Sequence, residues 1–141
     1  MKFRHLASVI LTATLCSAPA VAQTITDENA RITLVGAFIG ANDMVATVAE
    51  LCAGDYNDPP YDAEGILAKL QPYLHADEFI LYTDYTHSTQ YAESLSTTKA
   101  KVQRALDNIR QAQNEAAACR SLKKTILEKY TDVKAKLRDL R

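Results

Sequence analysis

The sequence predicts an all-α protein: a small helical bundle closed by a single disulfide. Three observations carry this. Apolar residues recur at three- and four-residue steps over the last forty positions, neither Gly nor Pro interrupts residues 97–141, and two cysteines remain once an N-terminal leader is set aside. With 48% hydrophobic and 23% charged residues the chain can bury a core, which excludes a disordered polymer. Four Gly and four Pro exclude collagen-like and Pro-rich segments, and no repeat of solenoid period is present.

Residues 1–22 read as a secretory signal peptide. Lys2, Arg4 and His5 form a charged start, residues 6–15 an uncharged apolar run, and Ala20-Val21-Ala22 a small-x-small cleavage site. The mature chain then begins at Gln23, and residues 23–141 form a single helical domain. The run is shorter than the roughly 20 residues that span a bilayer, and no other long apolar stretch is expected. Cys16 near its end suggests a lipoprotein signal, but Leu15 stands where lipid attachment wants a small residue. The expected location is outside the cytoplasm, in a bacterial periplasm or secreted.

In an oxidising compartment Cys52 and Cys119, 67 residues apart, most simply pair with each other. The chain-entropy argument gives such a bridge about 4 kcal/mol. Two isolated cysteines without neighbouring histidines fall short of a zinc set.

The first mature helix is expected from a Thr26 cap followed by Asp27 and Glu28, with Ile32, Val35, Ile39, Val45, Val48 and Cys52 on one face and Gly54 as the stop. Gly36 and Gly40 have the small-xxx-small spacing that admits a second helix at close range. A strand over 32–39 is the competing assignment. Residues 55–61 (Asp-Tyr-Asn-Asp-Pro-Pro-Tyr) are a loop, and their oxygen ligands break at Pro59, against a calcium site. Asp62 caps a short helix that buries Leu67 and Leu70 and ends at Pro72.

Residues 77–95 mix helical spacing (Leu81, Tyr85, Ser88, Ala92, Leu95) with a strand-like run at 79–83; helix is preferred because a lone strand would lack a partner. The final element, capped at Ser96 or Thr97, places Val102, Leu106, Ile109, Ala112, Ala116, Cys119, Leu122, Ile126, Tyr130, Val133, Leu137 and Leu140 on one face. It is one long C-terminal helix or two consecutive helices broken near Asn114.

Charge is unevenly distributed. Residues 23–98 carry two basic and twelve acidic side chains, and residues 99–141 carry twelve basic and five acidic ones. The expectation is that the two parts lie side by side and neutralise one another. A mature net charge of −3 argues against nucleic acid as a partner.

No nucleophile elbow, no zinc-binding helix and no phosphate-binding glycine loop is present, so neither enzyme activity nor a cofactor nor a metal is expected. Asp84, His87 and Tyr91 would share a helical face as a hydrogen-bonded surface cluster. Tyr56, Tyr61, Tyr82, Tyr85 and Tyr91 are the candidate partner-binding residues, since tyrosine offers large contact area at low entropic cost.

The expected function is therefore non-catalytic binding of a protein partner, as an inhibitor or immunity-type protein for an envelope or secreted protein. A Cys-containing amphipathic region followed by a Lys-rich helical tail loosely resembles, in architecture alone, small exported acid-stress chaperones. Protonating all 17 carboxylates beyond residue 22 would move the side-chain charge from −3 to about +16, and the repulsion is expected to loosen the fold in acid. A third reading lays residues 99–141 on an anionic lipid surface as a peripheral contact, and homo-oligomerisation is compatible with all three.

Overall fold

The computed structural model describes residues 20–140, with side chains from residue 27 onward. Most of the expected leader, residues 1–19, lies outside that range. Among the described residues there are five α-helices: α1 (Ala20–Leu51), α2 (Ala63–Leu70), α3 (Ala76–Thr86), α4 (Thr89–Arg110) and α5 (Glu115–Arg138), with a 3-10 turn at Gln71–Tyr73. The all-α bundle with one disulfide is what the periodicity predicts. The backbone of α1 runs through the expected cleavage point after Ala22.

α1 is the central helix, packed against α5 and α4, while α2 and α3 pack on each other and close one side. Val35, Phe38, Ile39, Val45 and Val48 are buried along it, meeting Leu106 of α4 and Leu122, Ile126, Tyr130, Val133 and Leu137 of α5. Phe38 is fully enclosed, with its ring 5.6 Å from that of Tyr130. Ile32, expected on the buried face, is instead 51% exposed, because it borders an open recess between α1 and Tyr82 and Tyr85 of α3. One expectation needs correction: residues 27–51 are long and apolar enough, by length and composition, to cross a membrane. Alanine, glycine and threonine dilute the run to the eye. In the fold, half of its most apolar window is buried against other helices.

The disulfide forms between Cys52, just past the end of α1, and Cys119 in the first turns of α5, with Cα atoms 5.6 Å apart. The C-terminal region is two helices. Asn114 ends the interruption by accepting the Ala117 N–H at 2.9 Å, the N-cap interaction that starts α5. α4 starts earlier than expected, at Thr89, because Ser88 and not Ser96 or Thr97 is its cap: the Ser88 hydroxyl accepts the Tyr91 N–H at 3.1 Å. The region 77–95 is helical but broken at His87–Ser88, so its apolar residues do not share one face; Leu81 is 61% exposed and Ala92 is exposed.

The loop over 55–61 is fixed by specific contacts. Asp62 accepts the Gly65 N–H at 2.8 Å and caps α2. Gly65 lies against the loop so closely that a Cβ there would come 2.2 Å from the Pro60 carbonyl oxygen. Buried Asn42 donates to the Tyr61 carbonyl at 2.7 Å, and the Lys69 ammonium donates to the Pro60 carbonyl at 2.6 Å. On the other side, Arg31 makes a two-pronged ion pair with Glu78 (3.2 and 2.9 Å), which docks the start of α3 on α1.

The two charge domains neutralise each other only in part. Of the seven ion pairs among the described residues, Lys99–Glu50 and Lys134–Asp58 join the acidic part to the basic one; the other five lie within one part.

Candidate functional site

The site grows out of a polar interruption in α1. Ile39, Asp43 and Thr47 follow four-residue steps, so the geometry that buries Ile39 also buries Asp43, which is 2% exposed. A carboxylate at such a depth requires compensation. The Tyr91 hydroxyl supplies it, donating to Asp43 Oδ1 at 2.8 Å. Among the described residues no other hydrogen bond reaches this carboxyl group. The nearest cation, Lys99, is held elsewhere, by both oxygens of Glu50 at 3.1 and 3.0 Å. Burial pushes the Asp43 carboxyl up to about 6, against the downward pull of the Tyr91 hydroxyl and the Lys99 charge. Burial and the neighbouring carboxylate likewise raise Tyr91, which therefore stays a neutral donor.

Asp43 is the common floor of two recesses. The first, about 480 Å³, is walled by Ala46, Ala49 and Glu50 of α1, by Tyr61, Asp62 and Ala63 at the start of α2, and by Tyr91, Leu95 and Lys99 of α4. The second, about 200 Å³, runs back along α1 over Gly36 and Gly40 between Tyr82 and Tyr85 of α3 and Ser94 of α4. Among the described residues the small-xxx-small pair therefore receives no second helix: none of them lies within 4 Å of a Cβ built at either glycine. Their missing side chains leave the second recess open.

The five candidate tyrosines are placed by the structure as follows. Tyr91 is buried, and Tyr56, Tyr61, Tyr82 and Tyr85 are half-buried. Tyr61 and Tyr91 line the first recess, and Tyr82 and Tyr85 the second. The Tyr85 and Tyr91 rings meet edge to face at 5.6 Å. Tyr56 lines neither; its hydroxyl donates to the carbonyls of Val48 (3.0 Å) and Cys52 (2.9 Å) at the end of α1, and Lys123 sits 4.2 Å over its ring. Asp84, His87 and Tyr91 do not form a cluster. The helix break sends Tyr91 inward to Asp43, while His87 Nδ1 lies 2.8 Å from the Thr83 carbonyl. Among the described residues no three His, Cys, Asp or Glu side chains are grouped to hold a metal ion.

A second aspartate–tyrosine pair lies in the loop. Asp58 Oδ2 accepts the Tyr130 hydroxyl at 2.7 Å and is in contact with the Lys134 ammonium. Burial alone would raise Asp58, but Lys134 and Tyr130 together hold its carboxyl below the usual range. Tyr61 packs edge-on against Tyr130 at 6.1 Å, and Lys69 stands 4.2 Å over the Tyr61 ring.

Asp43 was missed in the sequence because it reads as the charged end of an apolar run. The signal was its spacing, four residues from Ile39 and from Thr47 on the core face. Comparison with protein-family models, with curated proteins and with solved structures finds no match.

Proposed function

We propose that the protein is exported and works as a non-catalytic binding protein in an oxidising compartment outside the cytoplasm, the bacterial periplasm, taking a group of its partner or ligand into the recess above Asp43. The observation that carries this reading is the buried, singly hydrogen-bonded carboxylate at the floor of an open, mostly apolar recess. Concave apolar walls around a few fixed polar groups are the usual build of a binding site. The Cys52–Cys119 bridge and the leader-like first 22 residues support the compartment.

The test is a photo-crosslinking side chain placed at Leu95, on the wall of the recess, with a control at exposed Lys129 on α5, irradiated in intact cells. Adducts at position 95 and none at position 129 are expected, and the added mass distinguishes a protein from a small molecule. Silence at position 95 would sink the reading.

A second reading, the acid-stress chaperone, is favoured by one feature: the pins that hold α3 and the loop in place depend on carboxylates. Arg31 holds Glu78 below its ordinary range, as Lys134 and Tyr130 do Asp58, so both stabilise the fold above the unfolded carboxylate values and lose that effect as pH falls through their own. On this reading, apolar dye binding should rise sharply at pH 2.5 and reverse on neutralisation. A dye-silent protein at that pH removes it.

A further inference from the structure

We propose that the recess above Asp43 recognises a primary ammonium group carried on a short apolar stem, as in a small amphipathic amine. This rests on the reading of the recess as a binding site and names the chemistry of its ligand.

Three features of the recess select that chemistry. The first is the state of the Asp43 carboxylate. It is 2% exposed, has one hydrogen bond, on Oδ1, and lines both recesses. A carboxylate offers about four acceptor positions. An ammonium brings three N–H donors and a positive charge, whereas a quaternary ammonium brings no donor and a neutral alcohol no charge. Charge-assisted hydrogen bonds are also roughly twice as strong as neutral ones.

The second feature is the charge of the rim. Asp43, Glu50 and Asp62 face the recess from α1 and the start of α2, and α4 contributes the single cation Lys99, already held by Glu50. The surplus of negative charge disfavours carboxylates and phosphates. The third is the wall. Ala46, Ala49, Ala63 and Leu95 offer nothing to hydrogen-bond, so a ligand polar along its whole length would be desolvated without return. A volume of about 480 Å³ leaves room for an alkyl or small aromatic stem.

The contrast with Asp58 supports the assignment. There a protein ammonium, that of Lys134, already completes the same carboxylate–tyrosine arrangement. Among the described residues no cation pairs with Asp43, which lines the recess, and a ligand ammonium there would complete it.

Binding should depend on pH through Asp43. The other groups facing it are Glu50 on its own helix, Asp62 before α2, Tyr61 in the loop, Tyr82 and Tyr85 on α3, and Tyr91 and Lys99 on α4. Tyr61, Tyr82 and Tyr91 are all raised and stay neutral across the range. An ammonium needs the ionised carboxylate, so with Asp43 at about 6 affinity falls about tenfold from pH 7 to pH 5.

The experiment is calorimetric titration of the disulfide-intact protein with n-hexylammonium, 1-hexanol and hexanoate at pH 7 and pH 5. The expected result is hexylammonium binding at least about tenfold tighter than either control at pH 7, with that margin lost at pH 5. Asp43→Asn should bind hexylammonium no better than hexanol while keeping its helical circular dichroism. Lys99→Gln, at a half-exposed position, should bind hexylammonium several-fold more tightly than the unaltered protein. Equal binding of hexanol and hexylammonium would overturn the ammonium assignment and leave the recess standing as a binding site. Binding by none of the three also overturns it, and the crosslink at position 95 then decides separately whether the recess binds anything.

Discussion

Asp43 and Asp58 begin from the same arrangement, a partly or fully buried aspartate accepting a tyrosine hydroxyl at 2.8 and 2.7 Å. Their carboxyls are displaced in opposite directions, Asp43 upward to about 6 and Asp58 below the ordinary range. The hydrogen bond is common to both, so it cannot be the cause. What differs is first the burial, since Asp43 is 2% exposed and the Asp58 side chain 33%, and then the cation. Lys134 contacts Asp58 directly, while Lys99 faces Asp43 only from a distance and is occupied by Glu50. The closed pair works as a fastener between the loop and α5. The open pair costs the fold stability when it ionises, and this is the kind of cost a binding site carries.

The largest expected effect tests whether the two sites share one frame. Replacing both Cys52 and Cys119 by Ser should lower stability by about 4 kcal/mol in denaturant unfolding. Because the bridge lies outside both pairs, the opposite displacements of Asp43 and Asp58 should persist in carboxyl NMR titrations. If they converged, the contrast would belong to the global fold and not to local chemistry.

Next in size is the pH dependence of the open pair. The folded-state value of Asp43, about 6, lies above the ordinary 3.8, so the native state holds the proton more tightly than the unfolded chain. Its contribution is full below the unfolded value and is lost as pH rises through about 6, a change on the order of 3 kcal/mol. Asp43→Asn should flatten the fall in unfolding free energy between pH 4 and pH 7. An unchanged slope would refute the displacement of Asp43.

Opening the closed pair is the converse experiment. Lys134→Met should cost about 1 kcal/mol at pH 7, a modest figure because both side chains are about a third exposed. It should also raise the Asp58 carboxyl toward the behaviour of Asp43. The part of the acid-side stability loss that Asp58 contributes should then shrink, measurable by unfolding at pH 3 and pH 5.

The smallest expected effect concerns the floor of the second recess. Gly36→Ala meets no neighbour within 4 Å and improves helix propensity, so it should raise stability by up to about 1 kcal/mol. Destabilisation instead would mean that another element packs on that stripe.

Much of the fold was legible in the sequence because burial follows the helical period. Val102, Leu106, Leu122, Ile126, Tyr130, Val133 and Leu137 are buried where the spacing put them, and Asp62 caps α2 as expected. The pairing of Cys52 with Cys119 followed from their being the two cysteines outside the leader-like first 22 residues. Boundaries were less legible. Ser88 is a cap without the Glu three residues later that would announce it, so the break before α4 passed as continuous helix. Leu81 has the spacing of a buried residue but lies on α3, whose outer side nothing among the described residues covers.

The candidate site was legible only in fragments. Tyrosines stood out by number, and four of the five turn out to line the two recesses. Asp43, which gives those recesses their chemistry, is one charged letter in an apolar run. Its partner Tyr91 is 48 residues away, and periodicity cannot supply a contact of that range.

The bridge between Cys52 and Cys119 also makes the molecule a ring with two tails. Residues 53–118, which contain α2, α3 and α4 whole, form the ring, and α1 and most of α5 leave it at the junction. A protease that cuts once inside the ring, for instance at the exposed turn over residues 111–113, therefore releases no fragment. Both pieces stay joined at the cystine, and the recess keeps its walls on both sides of the cut. Such a nicked copy would run as one species until reduced, so survival of a single cut depends less on unbroken backbone than on an unbroken ring closure.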